Sequence, residues 1–158
     1  MIDERTAHLR FDIRLLAERL VDTTDWLTQN AETRHLRIGY FGASTGAAAA
    51  LVAAATRPSL VHAIVSRGGR PDLAWGALPY VQAPTLLIVG GNDVQVIRMN
   101  QAAFDQLRCE KRLAIVPGAT HLFEESGALD EVARLAREWF ERHLAAAPAG
   151  ATQAGNRP

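Results

Sequence analysis

The feature that most constrains this chain is the pentapeptide Gly-Ala-Ser-Thr-Gly at positions 42–46. An apolar run at 36–41 precedes it and is typical of a buried strand, and an alanine-rich run at 47–55 follows and is typical of a helix. A strand, Gly-x-Ser-x-Gly and a helix together predict a nucleophile elbow, a sharp turn that lifts the serine into a strained, accessible position. Ser44 is therefore the candidate nucleophile, and Gly42 and Gly46 are expected to leave room for neighbouring backbone.

Thr45 is the candidate for stabilising negative charge beside this serine. At the start of the predicted helix, backbone N–H groups have no intrahelical partner and the helix dipole is positive. We therefore predict that the Thr45 N–H is an oxyanion-hole donor for a reaction at Ser44.

The rest of the sequence predicts strands that alternate with helices. Beyond the elbow strand, short apolar runs predict strands at 60–66, 85–89 and 112–116, and periodic segments predict helices from about 11, at 96–107 and at 129–144, with a short, broken helix at 72–81. This alternation predicts a three-layer α/β fold with a parallel sheet of about four strands and helices on both faces. We expect one domain at 1–146 and a flexible Ala/Gly/Pro-rich tail at 147–158.

Composition narrows the class of protein. The 158 residues carry 17 basic and 17 acidic side chains, so nothing indicates a surface for nucleic acid or anionic membrane. No apolar run approaches the length of a membrane span and no signal peptide is evident, so we expect a cytoplasmic protein. The single cysteine, Cys109, excludes an intramolecular disulfide and makes a metal cluster improbable. We expect no metal and no organic cofactor.

Two further side chains complete a candidate catalytic site. In parallel sheets, ligands bind beyond the carboxyl ends of the strands, and Ser44, Asp93 and His121 each follow the carboxyl end of a predicted strand. A serine hydroxyl needs a base, for which histidine has a suitable pKa, and the base needs an orienting acid. Asp93 has alternative interpretations as a turn-former or helix cap. Asp72 is a rival acid, although it is more simply the first acidic residue of a helix after Pro71.

Two arginines, Arg67 and Arg70, follow the second predicted strand at the same sheet edge. Their guanidinium groups suit a substrate carboxylate, although surface salt bridges are their commoner use. A nucleotide-binding interpretation finds little support, because the elbow lacks Gly-x-Gly-x-x-Gly spacing and no P-loop lysine follows it.

Three motifs together resemble the dienelactone-hydrolase-like branch of the α/β-hydrolases, in particular the hydrolase portion found alone or fused to a phosphoribosyltransferase domain. They are Gly-Ala-Ser-Thr-Gly at 42–46, Leu-Leu-Ile-Val-Gly-Gly-Asn-Asp at 86–93 and Val-Pro-Gly-Ala-Thr-His-Leu-Phe-Glu-Glu at 116–125. The resemblance covers about residues 11–144. It implies Ser44 as nucleophile, Asp93 as acid, His121 as base, and hydrolysis of a small ester, thioester or lactone. Dienelactone hydrolase proper has a cysteine where Ser44 stands.

The chain is short before the elbow for this fold. Only 43 residues precede Ser44, so we expect the C-terminal part of the α/β-hydrolase fold, with the elbow strand at the sheet edge and no evident second oxyanion donor. Such an edge invites strand pairing, and we expect Met1–Arg10 or a second copy in a homodimer to cover it. The alternative to a hydrolase is a non-catalytic remnant that acts in self-association or partner binding.

Overall fold

The computed structural model describes residues 12–145, so the expectations for Met1–Arg10 and for the tail at 147–158 lie outside it. Residues 12–145 form four helices, four strands and a 3-10 segment in alternation. In order these are α1 (Ile13–Gln29), β1 (Ile38–Ala43), α2 (Thr45–Thr56), β2 (Val61–Arg67), the 3-10 segment (Pro71–Tyr80), β3 (Thr85–Gly90), α3 (Val94–Gln106), β4 (Lys111–Val116) and α4 (Ala128–Leu144).

The four strands form one parallel sheet in the order β1-β2-β3-β4. Consecutive strands are therefore neighbours, and each connection crosses one face of the sheet. The α/β fold and the four-stranded parallel sheet expected from the sequence are confirmed.

Two apolar clusters fill the layers on either side of the sheet. The first packs α1, α2, the 3-10 segment and α3 against one face, with Leu51, Ile64, Leu78 and Leu87 fully buried. The second packs α4 against the other face, through residues that include Val132, Leu135 and Trp139. Each layer removes apolar surface from water, which is the main source of stability for a chain of this size.

The alanines of α2 explain how the elbow lies so close to the sheet. Ala47, Ala48, Ala49 and Ala50 are all buried with Leu51, so the first turns of α2 pack inside the protein. Side chains of one carbon let the helix axis approach the strands, and they also favour the helix itself. The sequence thus places a helix N-terminus directly against the carboxyl end of β1.

Two burial predictions were wrong in detail. Phe41 lies in β1, predicted as a buried strand, yet 52% of its surface is exposed. Its side chain lies on the α4 face, and α4 reaches β1 only near Gly39. Leu129, which the helical periodicity of 129–144 predicts on the apolar face with Val132 and Leu135, is also exposed and lies in the first turn of α4. Within residues 12–145, no helix is long and apolar enough to cross a bilayer.

Candidate active site

Ser44 occupies the turn between β1 and α2. Its φ of 50° and ψ of −122° lie outside the regions that non-glycine residues favour. A Cβ on Gly42 would lie 2.6 Å from both the Ala47 Cα and the Gly46 carbonyl oxygen, so glycine is required at 42. Apart from its chain neighbours and the backbone of its own helix, no atom of residues 12–145 lies within 4 Å of the corresponding position at Gly46, contrary to the predicted steric need for glycine there.

Backbone hydrogen bonds hold the strained serine from both sides. The Ser44 N–H donates to the Arg67 carbonyl at 3.2 Å, and the Ser44 carbonyl accepts from the N–H groups of Arg70 at 3.1 Å and Ala47 at 3.2 Å. Thr45 begins α2 directly after it, so the Thr45 N–H has no carbonyl partner within the helix. Ser44 and Thr45 are both half-buried, which leaves the hydroxyl and the amide accessible from the sheet edge.

His121 and Asp93 are joined by a hydrogen bond of 2.7 Å between Nδ1 and Oδ2. Because a carboxylate only accepts, Nδ1 carries the proton and Nε2 is the basic nitrogen. The Asp93 side chain is 16% exposed and that of His121 is 41% exposed, so the acid lies beneath a ring that reaches solvent. Asp93 is the N-cap residue of α3, but its side chain makes no capping bond there.

The loops that carry these two residues are bound to each other. The Gly91 N–H donates to Val116 at 2.8 Å and the Asn92 N–H to Ala119 at 2.9 Å. A Cβ on Gly90 would lie 2.4 Å from the Ala119 carbonyl oxygen, so the loop after β4 rests directly on β3. This contact fixes Asp93 relative to His121.

Glu125 was missed as part of the site. Its Oε1 accepts from the Thr120 hydroxyl at 2.6 Å and from the Thr120 N–H at 3.1 Å, which closes the loop that carries His121. These hydrogen bonds lower the pKa of the Glu125 carboxyl. From the sequence, Glu124 and Glu125 are expected to be solvated charges at the start of the last helix. The Thr-x-x-x-x-Glu spacing across a loop has no regular period that would have revealed the bond.

The loop after β2 separates Ser44 from His121. Gly68 has a φ of 51°, and a Cβ there would lie 3.5 Å from the Cε1 and Nδ1 atoms of His121. Across the same gap, the Arg67 guanidinium packs over the Phe123 ring at 5.5 Å from its centroid and donates to the Leu122 carbonyl at 3.3 Å. Phe123 is buried with a φ of 58°, an unusual conformation for a bulky residue that turns the chain just after His121. Residues at the end of β2 and in the loop after it therefore contact the His121 side chain and the Ser44 backbone.

The rival acid has a different partner. Asp72 accepts two hydrogen bonds from Arg70, at 2.9 and 2.8 Å, and this contact lowers the pKa of its carboxyl. Arg70 therefore forms a salt bridge. Among the described residues Arg67 has no carboxylate partner, and no group of three or more His, Cys, Asp or Glu side chains is placed to hold a metal ion.

Among residues 12–145 the Ser44 hydroxyl makes no hydrogen bond to His121, although the Ser44 backbone and the His121 side chain both contact the loop after β2. Catalytic hydrogen bonds in free enzymes are often long and tighten only when substrate binds. The arrangement thus provides a strained, accessible alcohol, an imidazole whose tautomer is set by a carboxylate, and an unpaired helix N–H at one sheet edge.

Comparison with known proteins bears on this geometry. A chain described as a dienelactone hydrolase from Anabaena variabilis superimposes with a TM-score of 0.89 at 67% sequence identity, covering 91% of this chain and 67% of that one. A monoacylglycerol lipase from Paleococcus ferrophilus matches at 18% identity with a TM-score of 0.67, covering 80% and 76% of the two chains, which shows the shared fold.

Two curated relatives from Mycobacterium tuberculosis, named putative phosphoribosyl transferases, are 57% identical over 142 residues. The match covers 90% of this chain and 32% of theirs, so the chain spans about a third of their length. These names fit the resemblance to hydrolase portions that occur alone or fused to phosphoribosyltransferase domains. The model of the dienelactone hydrolase family matches residues 6–146. The chain belongs to the dienelactone hydrolase family.

Proposed function

We propose that this chain is a serine hydrolase of small esters, thioesters or lactones. Ser44 is the nucleophile, His121 the general base and Asp93 the residue that orients the imidazole. The observation that carries the proposal is the strained elbow at Ser44 on the same sheet edge as the 2.7 Å Asp93–His121 hydrogen bond. Membership of a hydrolase family supports the reaction class.

The reaction would proceed through an acyl-enzyme. His121 Nε2 takes the proton from the Ser44 hydroxyl as its oxygen attacks the carbonyl carbon, and the Thr45 N–H donates to the resulting oxyanion. Collapse of this intermediate breaks the bond to the leaving alcohol or thiol, which receives the proton from Nε2. Water then attacks the acyl group by the same route and regenerates Ser44.

The proposed substrate class follows from the chemistry of the carbonyl group. An ester, a thioester and a lactone each present a carbonyl carbon and a leaving group that one imidazolium can protonate, so one site accommodates all three. Oxyanion stabilisation also affects the rate strongly, because loss of one donor typically lowers turnover by about 10²–10³-fold. We therefore expect activated esters to be the most readily detected substrates.

Labelling with a fluorophosphonate probe tests the proposal. The wild-type protein is expected to form one covalent adduct on the peptide that contains Ser44, and Ser44→Ala is expected to form none while retaining the wild-type circular dichroism spectrum. An unlabelled wild-type protein with an intact fold would contradict the proposed function. Labelling that persists in Ser44→Ala would place the nucleophile elsewhere.

A second candidate function is self-association through the free edge of β1. Within residues 12–145, β1 pairs with β2 alone, and Leu36 and Phe41 beside that edge are 55% and 52% exposed. An edge strand is complementary to a second copy of itself related by a two-fold axis, because antiparallel pairing satisfies the same backbone groups on both copies.

Sedimentation velocity over a concentration series tests this second candidate. A dimer that dissociates in Phe41→Glu is expected, since a carboxylate at the edge opposes pairing. A wild-type monomer at every concentration would exclude self-association and leave the hydrolase proposal unaffected.

A further inference from the structure

Asn100 is a buried amide that the proposed chemistry does not use. It lies inside α3 with no exposed surface, at a position where an apolar residue would ordinarily pack. Burial of an amide costs free energy unless its polar atoms find partners, and asparagine is a weak helix former. Packing alone therefore does not account for this side chain.

One of the two hydrogen bonds of Asn100 reaches beyond its own helix. Its Nδ2 donates to the Val96 carbonyl at 2.8 Å within α3 and to the Gly69 carbonyl at 3.0 Å in the loop after β2. Two carbonyl oxygens fix the orientation of the amide, because only its nitrogen can donate. The Oδ1 atom is buried and has no hydrogen-bond partner within the described part of the chain.

Gly69 lies in the loop that holds Ser44. A Cβ on Gly69 would lie 2.1 Å from the Ser66 Oγ and 2.8 Å from the Ala47 Cβ, so this backbone is pressed against β2 and the first turn of α2. The next residue, Arg70, donates its N–H to the Ser44 carbonyl at 3.1 Å. The Gly69 carbonyl that Asn100 binds and the Arg70 N–H that binds Ser44 therefore belong to the same peptide group.

The same loop contacts the candidate base. Gly68, the residue before Gly69, lies against His121, and its N–H donates to the Ile88 carbonyl at 2.7 Å. Asp93, which binds His121, precedes α3 by one residue, and Asn100 follows it by two helical turns, about 10 Å along the axis. The N-cap residue of α3 thus binds the candidate base, and a residue in the interior of the same helix binds the loop behind the nucleophile.

We propose that Asn100 is a positioning residue that anchors the loop at 68–70 and so keeps Ser44 at the distance from His121 that the reaction needs. The consequence for catalysis rests on the proposed function, whereas the anchoring does not. Asn100 touches no substrate in this account, so its loss is expected to lower kcat and leave KM nearly unchanged. A misplacement of about 1 Å lowers a rate by about a hundredfold.

The test compares Asn100→Leu and Asn100→Asp with a matched control, Thr24→Val. Leucine keeps the volume, and aspartate keeps the shape but replaces the donor with an acceptor. Thr24 is an equally buried polar residue whose hydroxyl donates to Leu20 at 2.8 Å and contacts the Tyr40 hydroxyl, on α1 and away from the loop. A merely structural role would make both sets of variants lose stability without affecting the site.

Two measurements are made on each protein. The first is kcat and KM with p-nitrophenyl acetate; we expect kcat to fall about 10- to 100-fold in both Asn100 variants and to stay within about twofold in Thr24→Val. The second is hydrogen exchange of the Gly68 and Arg70 amides by NMR, which needs no activity. These amides are expected to exchange at least about tenfold faster in the Asn100 variants, while amides of β3 keep their protection.

The outcomes separate the two proposals. Wild-type exchange at Arg70 in a folded Asn100 variant overturns the anchoring role, whatever the activity. Unchanged kcat in an active protein overturns the positioning role. A wild-type protein without esterase activity or probe labelling overturns the proposed function, and the exchange data then decide the anchoring role alone.

Discussion

Two histidines of this chain lie beside carboxylates at opposite ends of the sheet. At the carboxyl ends of the strands, His121 binds Asp93 at 2.7 Å and its ring reaches solvent. At the amino ends, His143 lies 3.7 Å from Glu110, too far for a hydrogen bond, and its side chain is 10% exposed. The His143 ring packs on Trp139 at 4.4 Å between centroids.

The difference between these pairs lies in surroundings rather than in residue types. Burial lowers the pKa of His143, with Arg142 and Arg37 acting in the same direction and Glu110 opposing them. Its Nε2 is buried without a hydrogen-bond partner among the described residues. The carboxyl-end pair instead has a bonded Nδ1, an accessible Nε2 and a strained serine nearby. A histidine beside a carboxylate is thus a candidate base only where a nucleophile and solvent also reach it.

Replacement of each histidine by alanine should give the largest difference in activity between the two histidine–carboxylate pairs. His121→Ala is expected to lower kcat/KM by at least about 10⁵-fold, since loss of the general base removes most of the catalysis. His143→Ala should leave kcat/KM within about twofold and lower the free energy of unfolding by about 1–2 kcal/mol, because a packed ring is lost. Steady-state kinetics and urea unfolding measure both, and equal kinetic losses would contradict the distinction.

The two carboxylates provide a second comparison of the same kind. Asp93→Asn keeps the shape but favours the wrong imidazole tautomer, so kcat is expected to fall by about 10⁴-fold. Glu110→Gln, at the exposed salt bridge with Arg142, should change kcat by less than about twofold. Comparable rates in the two variants would show that Asp93 does not orient His121.

Glu125 tests whether the loop that carries His121 must be held. Glu125→Ala removes both hydrogen bonds to Thr120 and is expected to lower kcat roughly tenfold through a displaced imidazole. Glu124, its exposed neighbour, provides the matched control, and Glu124→Ala should retain the wild-type kcat. A wild-type rate in both variants would mean that the loop keeps its geometry without this carboxylate.

The smallest effect concerns stability against pH. Burial is the largest cause that lowers the pKa of both His62 and His143, so the folded chain keeps these rings neutral where the unfolded chain protonates them. Unfolded histidine titrates near pH 6.5, so the unfolded state gains protons below that pH and stability falls from about pH 7 toward 5. In urea unfolding, the free energy of unfolding should fall less over this pH range in the double variant His62→Gln, His143→Gln than in the wild-type protein. An equal fall in both proteins would show that other groups cause this pH dependence of stability.

Local patterns predicted much of the fold. The continuous apolar run at 85–89 marked β3 in the middle of the sheet, and the Gly-x-Ser-x-Gly turn marked the junction of β1 and α2, because both signals lie within a few residues. The observed boundaries differ from the predicted ones by one or two residues, as at both ends of β1, because where an element ends depends on its tertiary contacts. Exposure of Phe41 could not be predicted, because it depends on where α4, a hundred residues away, crosses the sheet.

The sequence indicated three candidate residues but not the hydrogen bonds that hold the loops around them. Ser44, Asp93 and His121 follow strand ends, and a parallel sheet brings such ends to one edge. The bonds from Asn100 to Gly69 and from Glu125 to Thr120 join segments that share no sequence period, so no local pattern marks them. The catalytic roles of Ser44, Asp93 and His121 remain predictions.

Covalent capture of the acyl-enzyme tests the central claim most directly. The protein is mixed with p-nitrophenyl acetate, quenched in acid within the first turnover and analysed by mass spectrometry of its peptides. The account predicts one added acetyl group on the peptide that contains Ser44, released on longer incubation and absent from Ser44→Ala. Ester hydrolysis by the folded wild-type protein with Ser44 never acetylated would contradict it.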